Sequence, residues 1–289
     1  MKDFTFKGLG TVWSIIVDGT SLRDETKAAI VQYVAWFEKH FSRFLPGSEV
    51  NMFRESPAGD FVVSKEFALL LATAGRLRTL TDGAYDPAVG TILETAGYGG
   101  KQGLKPLKKT VPTLPQWSLA DTTLTIDGPI AFDLGGIGKG YCIDKVANIL
   151  RRFGCDYYLV DGGGDMAVTT KADGSAWRVA IEYPGKPDTA ASLAELSHQG
   201  LAVSDSFRRK WGKWHHLIDA QGKKPIEGII GCAAVAPDTW AADRMTSGLF
   251  FAPVESYPAL AKEFAASYLI FRSDGTASVS PDWGGEIFN

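Results

Sequence analysis

The sequence contains few cysteines, and they form no pattern. Its 289 residues include three, Cys142, Cys155 and Cys232, which lie far apart and outside any CxxC spacing. An odd number at such separations excludes a closed disulfide framework and a cysteine-based zinc site. Each stands among apolar neighbours, so we expect small buried core residues in a reducing compartment.

A basic excess and a long apolar run are also absent. The formal net charge of −3 argues against a dedicated nucleic-acid-binding protein, since such proteins usually carry an excess of Lys and Arg. No apolar run reaches the length of a membrane-spanning helix. The first residues alternate between apolar and polar, which is typical of a strand rather than a secretory signal. The sequence as it stands predicts a cytoplasmic protein without a transmembrane segment, and a periplasmic protein if a leader precedes this numbering.

What the chain does have is a mixture of helix and strand patterns, which favours the α+β or α/β class. We expect one unit over residues 1–289, with a possible lobe boundary in the Gly-, Pro- and Lys-rich segment around 98–117. The predicted elements are a strand over 4–17, helices over 24–41, 65–80, 139–153 and 255–266, a hairpin over 122–134 that turns at Asp127-Gly128, and a strand, glycine turn and strand over 155–168.

Residues 131–146, AFDLGGIGKGYCIDKV, contain four glycines between two aspartates. The segment is not a Walker A loop, because Asp133 stands where the first glycine belongs, and its glycine spacing does not fit GxGxxG. A strand ending at Asp133, a glycine turn and a helix beginning near Lys139 would still bring helix amides and an ammonium together, which favours an anion. From this segment alone, a phosphate site and a glycine turn that serves packing remain equally open.

With its flanks, the segment DLGGIGKGYCID resembles the signature of the FAD:protein FMN transferase family, the ApbE-type flavin transferases. Other segments resemble family motifs in the same order, over about residues 8–250: KGLGTVWSI, FSRFLPGSEVNMF, TDGAYDPAVGTIL, LVDGGGDM, AVSDSFRR, HLIDAQGKKP and WAADRMTSGLF. The chain departs from the family pattern at Leu9, at Thr91 in place of proline, at Asp205 in place of glycine, and in HLIDAQGKKP, which lacks the central Pro and Thr-Gly.

The resemblance implies an α+β, ApbE-like (T-fold-related) fold of mixed sheets with packed helices, in a single two-lobed unit. It also implies a Mg²⁺-dependent transferase that cleaves FAD, attaches FMN through a phosphoester to a Thr or Ser hydroxyl of an acceptor protein, and releases AMP. The acceptor would be a redox or electron-transfer protein. Two alternatives stay open: an FAD pyrophosphatase, suggested by the altered HLIDAQGKKP segment, and a catalytically weakened FAD-binding protein, suggested by Asp205, Ala220 and Gly222.

The candidate metal ligands lie close together in the segment WAADRMTSGLF. Asp243, Thr246 and Ser247 offer the hard oxygen atoms that Mg²⁺ prefers. The resemblance adds a main-chain carbonyl near Gly136. In the structural alternative, Asp243 caps a helix while Thr246 and Ser247 are exposed near its start.

His216 is the candidate catalytic residue, because a histidine can accept a hydroxyl proton near neutral pH. Neighbours on a strand point to opposite faces, so only one of His215 and His216 can serve, and His216 matches the family position. The alternative is a pair of hydrogen-bonded structural histidines.

The remaining candidate residues are those that the resemblance implies contact FAD: Phe44, Ala84, Tyr85, Asp86, Asp133, Lys139, Ser204 and Ile218. Phe44 offers a ring for stacking, and core packing is its alternative. Asp165 is expected to orient its glycine turn or to pack. Of the two basic segments, FRRKWGKW is expected to contact pyrophosphate or an acidic partner, and KQGLKPLKK to be a solvated loop.

Overall fold

An eight-stranded antiparallel sheet forms the centre of the computed structural model, which describes residues 3–99 and 112–288. Its strands lie in the order β1-β2-β6-β7-β10-β15-β16-β17. They are β1 (Asp3–Gly8), β2 (Thr11–Val17), β6 (Tyr158–Gly162), β7 (Met166–Val168), β10 (Gln199–Asp205), β15 (Ile229–Ala236), β16 (Ser267–Arg272) and β17 (Ala277–Val279).

Smaller sheets and ribbons surround this central sheet. One three-stranded sheet contains β3 (Gly59–Val62), β5 (Thr123–Ile126) and β4 (Trp117–Ala120), and another contains β18 (Glu286–Ile287), β9 (Ala190–Leu196) and β8 (Trp177–Glu182). Two short ribbons pair β11 (Lys210–Trp211) with β12 (Trp214–His215), and β13 (Ile218–Asp219) with β14 (Lys224–Pro225).

Helices cover one face of the central sheet, and the β8–β9 hairpin lies over the other. The helices are α1 (Asp24–Phe41), α2 (Lys65–Leu80), α3 (Gly90–Thr95), α4 (Gly138–Arg152), α5 (Thr239–Phe251) and α6 (Tyr257–Phe264). Helix α4 packs on α1, α5 and β6, while α5 packs on β10 and β15. The larger core lies between helices and sheet, and a smaller one, which includes Trp177 and Phe271, lies between the two sheets. The prediction of an α+β fold is confirmed.

The predicted helices appear because their apolar stripes are local and continuous. In α1 the stripe of Ile30, Val34, Phe37 and Phe41 is buried, as its spacing predicts. Helix α4 is followed by Gly154 at a φ of 75°, the left-handed conformation that commonly follows a helix end. The helix predicted over 255–266 is shorter, and a 3₁₀ turn over Val254–Ser256 precedes it.

Two strand predictions are wrong. The strand over 4–17 is a hairpin, because Leu9 and Gly10 turn the chain with φ values of 52° and 71°. No strand covers 127–134 either, and β5 pairs instead with β4 across a turn that contains Asp121 at a φ of 52°. Asp127 closes that pair, since its N–H donates to the Gln116 carbonyl at 3.1 Å and its carboxylate accepts from the Gln116 N–H at 2.8 Å.

The remaining expectations concern cysteines, membranes and domains. All three cysteines are buried thiols. Among the residues described, no helix is both long and apolar enough to span a bilayer. The segment predicted as a lobe boundary falls largely on 100–111, outside the described residues, so the boundary stays a prediction, and so does the solvated loop KQGLKPLKK.

Candidate active site

A cleft of about 610 Å³ lies where the glycine turn before α4 meets the ends of β10 and α1. It is bounded by the β1–β2 turn, the segment that follows α1, the residues after β10 and one side chain of α5. Five of the predicted site residues line it together: Phe44, Lys139, Ser204, His216 and Asp243. Residues almost 200 positions apart in the chain therefore meet in one cavity.

The glycine turn lets α4 approach α5 closely. A Cβ atom on Gly140 would lie 2.6 Å from the carbonyl oxygen of Thr239 and 2.8 Å from the Cβ of Asp243. In place of a side chain, the Gly140 N–H donates to Oδ2 of Asp243 at 2.9 Å. The turn therefore serves packing, and its Gly140 amide binds Asp243. Gly135 and Gly138 of the same turn line the cleft, so the phosphate site stays a prediction.

Asp243 is a buried carboxylate without a cationic partner. Its residue is 3% exposed, and no Lys, Arg or His nitrogen of the described residues lies within 4.0 Å of its carboxylate. Burial and the charge of Asp165 raise its pKa to about 7, against the opposing charge of Lys139. The helix cap is Asp238, which accepts the Ala241 N–H at 2.7 Å, so the alternative in which Asp243 caps the helix is wrong.

The other candidate ligands form hydrogen bonds, and one of them contacts Asp243: the Thr246 hydroxyl donates to the main-chain carbonyl of Asp243 at 2.9 Å. The Ser247 hydroxyl donates to the Gly136 carbonyl at 2.7 Å, and the hydroxyls of Ser204 and Thr246 lie 3.1 Å apart. Thr246 and Ser247 are buried rather than exposed. The described residues contain no group of three or more His, Cys, Asp or Glu side chains suited to a metal ion.

One carboxylate with hydroxyl and carbonyl oxygens nevertheless suits Mg²⁺, which takes few protein ligands and keeps positions for phosphate oxygens. The residues present therefore fit this ion.

His216 lines the cleft and is held neutral. Burial and the neighbouring charge of Arg209 lower its pKa to about 3, against the opposing charge of Asp133. Its Nδ1 is buried and has no hydrogen-bond partner among the described residues. His215 does not line the cleft, because its Nε2 is 3.0 Å from the Ile226 carbonyl and its Nδ1 accepts the Leu217 N–H at 3.3 Å. The two histidines thus have separate environments, although the strand β12 ends at His215 and does not include His216.

Asp133 does not line the cleft itself but is paired with an arginine that does. Its Oδ2 accepts from Nε of Arg43 at 2.6 Å, and its Oδ1 accepts the Gly135 N–H at 2.7 Å. Burial acts to raise the pKa of Asp133, but the Arg43 charge and these hydrogen bonds outweigh it, and the pKa lies below its usual value. Arg43 is 5% exposed and also donates to the Tyr98 carbonyl at 2.9 Å. Sequence reasoning missed Arg43, although it directly precedes Phe44.

Phe44 offers an exposed ring at the cleft. It is 43% exposed, and the Arg43 guanidinium lies 4.1 Å from its ring centre. The Phe44 and Tyr98 rings meet edge to face at 5.5 Å, and Tyr98 stacks on Trp211 at 5.0 Å. The alternative of ordinary core packing for Phe44 is therefore wrong.

Several predicted contacts of FAD lie behind the cleft wall rather than on it. Tyr85 is buried beneath Gly136, and its hydroxyl has no partner among the described residues. The Asp86 carboxylate accepts hydrogen bonds from the Ala88 N–H at 2.9 Å and from the Trp117 indole N–H at 3.0 Å, and it forms an ion pair with Arg78. The Ala84 carbonyl accepts the Ala220 N–H, and Ile218 is buried in a small apolar cluster. The cleft lining includes none of these four.

Cations also border the cleft. The cleft is lined by Lys139 and by both arginines of FRRKWGKW, Arg208 and Arg209. Nζ of Lys139 lies 2.9 Å from Oδ2 of Asp165, which is 1% exposed. Sequence reasoning left Asp165 outside the site, and its only local signal was its place directly after three glycines.

A comparison with protein-family models matches residues 9–270 to the ApbE family. The chain belongs to the ApbE family. Curated ApbE relatives named FAD:protein FMN transferase include one from Haemophilus influenzae, 27% identical over 93% of this chain and 86% of the relative. Another, from Escherichia coli K12, is 26% identical over 91% and 82%. These matches confirm the predicted membership in a family of enzymes.

Solved ApbE structures agree with the fold. The structure of the flavin transferase ApbE from Vibrio cholerae has a TM-score of 0.83, at 23% identity over 98% of this chain and 97% of that chain. The ApbE protein of Thermotoga maritima gives the same score, at 23% identity over 97% of both chains. The predicted ApbE-like architecture is therefore confirmed.

The residues that depart from the ApbE pattern fit the turns in which they lie. Asp205, in place of glycine, accepts the N–H groups of Phe207 and Arg208 at 2.8 Å each. Ala220, in place of proline, donates its N–H to the Ala84 carbonyl at 2.9 Å, a bond that proline cannot make. Lys223, in place of glycine, adopts the left-handed φ of 52° that glycine would adopt most easily.

Proposed function

We propose that this protein is a FAD:protein FMN transferase. It would cleave the pyrophosphate of FAD, attach FMN through a phosphoester to a Ser or Thr hydroxyl of an acceptor protein, and release AMP. The relatives' name supports the reaction class. The observation that carries the proposal is the cleft in which a neutral histidine, an unpaired carboxylate and a lysine face one cavity: His216, Asp243 and Lys139.

His216 acts on the nucleophile. His216 lines the cleft, and its buried Nδ1 has no hydrogen-bond partner among the described residues, so this nitrogen is placed to accept a proton. It takes the proton of the acceptor hydroxyl as that oxygen forms a bond to the phosphorus of the FMN half. The bond from this phosphorus to the bridging oxygen breaks, and AMP leaves with that oxygen.

Cations at the cleft hold the phosphates. The Lys139 ammonium and the Arg209 guanidinium face the cavity, where they offset the negative charge of the pyrophosphate. Asp243, Ser247, Thr246 and the carbonyl of Gly136 would hold Mg²⁺, which when bound stabilises the charge that develops on the phosphate oxygens. Phe44 offers its exposed ring to the flavin or the adenine.

The histidine pair provides a matched test of this function. We expect His216→Asn to reduce AMP release by about 10²–10⁴-fold, the usual effect of removing a general base. His215→Asn should keep most of the activity, because His215 lies outside the cleft. The assay incubates each protein with FAD, Mg²⁺ and candidate acceptor domains, then measures AMP by chromatography and the mass of the acceptor. Equal activity in the two variants would contradict the proposed role.

The same assay separates transfer from hydrolysis and from loss of catalysis. Hydrolysis was suggested by the altered HLIDAQGKKP segment, but of its residues only His216 lines the cleft. We therefore expect AMP and FMN-labelled acceptor in equal amounts. AMP without label on any acceptor would select the pyrophosphatase, and tight FAD binding without AMP would select the weakened protein.

A further inference from the structure

Lys139 is tied to the turn that follows β6. Oδ2 of Asp165 lies 2.9 Å from the Lys139 ammonium, and its Oδ1 accepts the Val203 N–H at 3.0 Å. Asp165 is almost fully buried, whereas Lys139 is part-exposed at the cleft. The buried Asp165 carboxylate, which is held by its bond from Val203, therefore restrains the flexible side chain of Lys139.

A second carboxylate, that of Asp243, lies near the same ammonium. The charge of Lys139 reaches Asp243, whose pKa it acts to lower, and the next residue, Gly140, is hydrogen-bonded to Asp243. Nevertheless Lys139 is within ion-pair distance of Asp165 and not of Asp243. A lysine ammonium on its flexible stem turns readily to another carboxylate when its partner is removed.

We propose that Asp165 is a positioning residue that holds the Lys139 ammonium away from Asp243, so that this carboxylate stays open to a divalent cation. The inference rests on the proposed function, since the cation is the one assigned to Asp243 there. Without the Asp165 charge, Lys139 turns to Asp243, forms an ion pair with it and competes with the metal. Asp165 would then act on the metal site without touching the metal.

Direct metal binding tests this inference without measuring activity. Mn²⁺ is titrated into the purified full chain, and free Mn²⁺ is followed by electron paramagnetic resonance. Asp165→Asn keeps an oxygen that can accept the Val203 N–H and removes only the charge. We expect it to weaken Mn²⁺ binding by about 10-fold, within the range found when an outer partner of a metal site is lost.

Removing the lysine as well distinguishes positioning from a structural role. The double variant Asp165→Asn/Lys139→Met has no ammonium left to compete, so its Mn²⁺ affinity should return to within about threefold of Lys139→Met. Recovery supports the inference. A double variant as weak as Asp165→Asn, or an Asp165→Asn variant that binds as the wild type does, overturns it.

Two controls keep the test decisive. If Asp165→Asn does not fold, Lys139→Met alone decides: binding within about threefold of the wild type supports the inference, and binding about 10-fold tighter shows that the ammonium already occupies Asp243 and overturns it. Wild-type protein that binds no Mn²⁺, or Asp243→Asn that binds as the wild type does, overturns the metal site itself. That failure differs from one in which the metal binds and Asp165 has no effect.

Discussion

Replacing Arg43 by methionine tests the charge pair behind the cleft. Arg43 is 5% exposed and donates to Asp133 at 2.6 Å and to the Tyr98 carbonyl at 2.9 Å. Removing one partner of a buried ion pair costs about 3–5 kcal/mol, because the other charge is left uncompensated. Asp133 keeps its bond from Gly135, and Glu94, which lies 3.7 Å from Arg43, keeps its ion pair with Arg54. We therefore expect the lower end, about 3 kcal/mol.

Arg76→Met is the matched control. Arg76 pairs with Glu263 at the surface, where the two side chains are 57% and 36% exposed. Exposed pairs of this kind contribute about 0–1 kcal/mol. Thermal unfolding followed by circular dichroism measures both variants. At about 2–3 °C per kcal/mol for a chain of this size, Arg43→Met should unfold about 6–9 °C below the wild type, and Arg76→Met within about 3 °C of it.

The pH dependence of the same experiment identifies the group responsible. The pKa of Asp133 is depressed in the folded wild type, so its contribution to stability is present above the unfolded pKa and is lost as the pH falls through the folded pKa. Without Arg43, burial raises that pKa, and Asp133 takes up a proton at a higher pH. The deficit of Arg43→Met should therefore shrink as the pH falls from 7 towards the unfolded pKa of Asp133. An equal deficit in both arginine variants would refute the reasoning.

Three further variants test other parts of the site. The folded pKa of His216 is about 3, so its contribution to stability is present above the unfolded pKa of 6.5 and is lost as the pH falls. In urea unfolding below pH 6.5, the free energy of unfolding of His216→Asn should therefore fall less steeply with acidification than that of the wild type, by up to about 1.4 kcal/mol per pH unit. Phe44→Ala should weaken FAD binding by about 3- to 10-fold in a fluorescence titration and leave the free energy of unfolding unchanged. Phe53 is buried, so Phe53→Ala should lower the free energy of unfolding by about 3–5 kcal/mol. Asp86→Asn should destabilise the fold by about 1–3 kcal/mol in urea, with FAD affinity unchanged because Asp86 lies outside the cleft.

Helices were the part of the fold that the sequence predicted best. Their apolar stripes, such as Phe67, Leu70, Leu71, Ala74 and Leu77 in α2, repeat within one continuous segment and need no knowledge of partners. Strand pairing could not be predicted in the same way. Asp127-Gly128 has the composition of a hairpin turn, but β5 found its partners in β3 and β4, and the chain beyond the dipeptide forms no strand.

The candidate site could be predicted only in part, because the sequence does not show which distant residues pair with one another. Resemblance identified residues that have chemistry of their own, such as His216 and Asp243. Arg43 and Asp165 owe their interest to partners that are distant in sequence, since Arg43 pairs with Asp133 and Asp165 with Lys139. The residues next to Arg43 and Asp165 in the sequence do not indicate which distant residue each of them pairs with.

The distribution of cations distinguishes Asp243 from four other aspartates of this region. Four aspartates each have a cationic partner within 4 Å: Asp86 with Arg78, Asp133 with Arg43, Asp165 with Lys139 and Asp205 with Arg208. Among the described residues Asp243 has none, although it is buried to a similar degree as Asp165. A buried carboxylate is costly unless a cation or hydrogen bonds compensate it. The metal site proposed at Asp243 therefore depends on where the cations pair as well as on where the carboxylates lie.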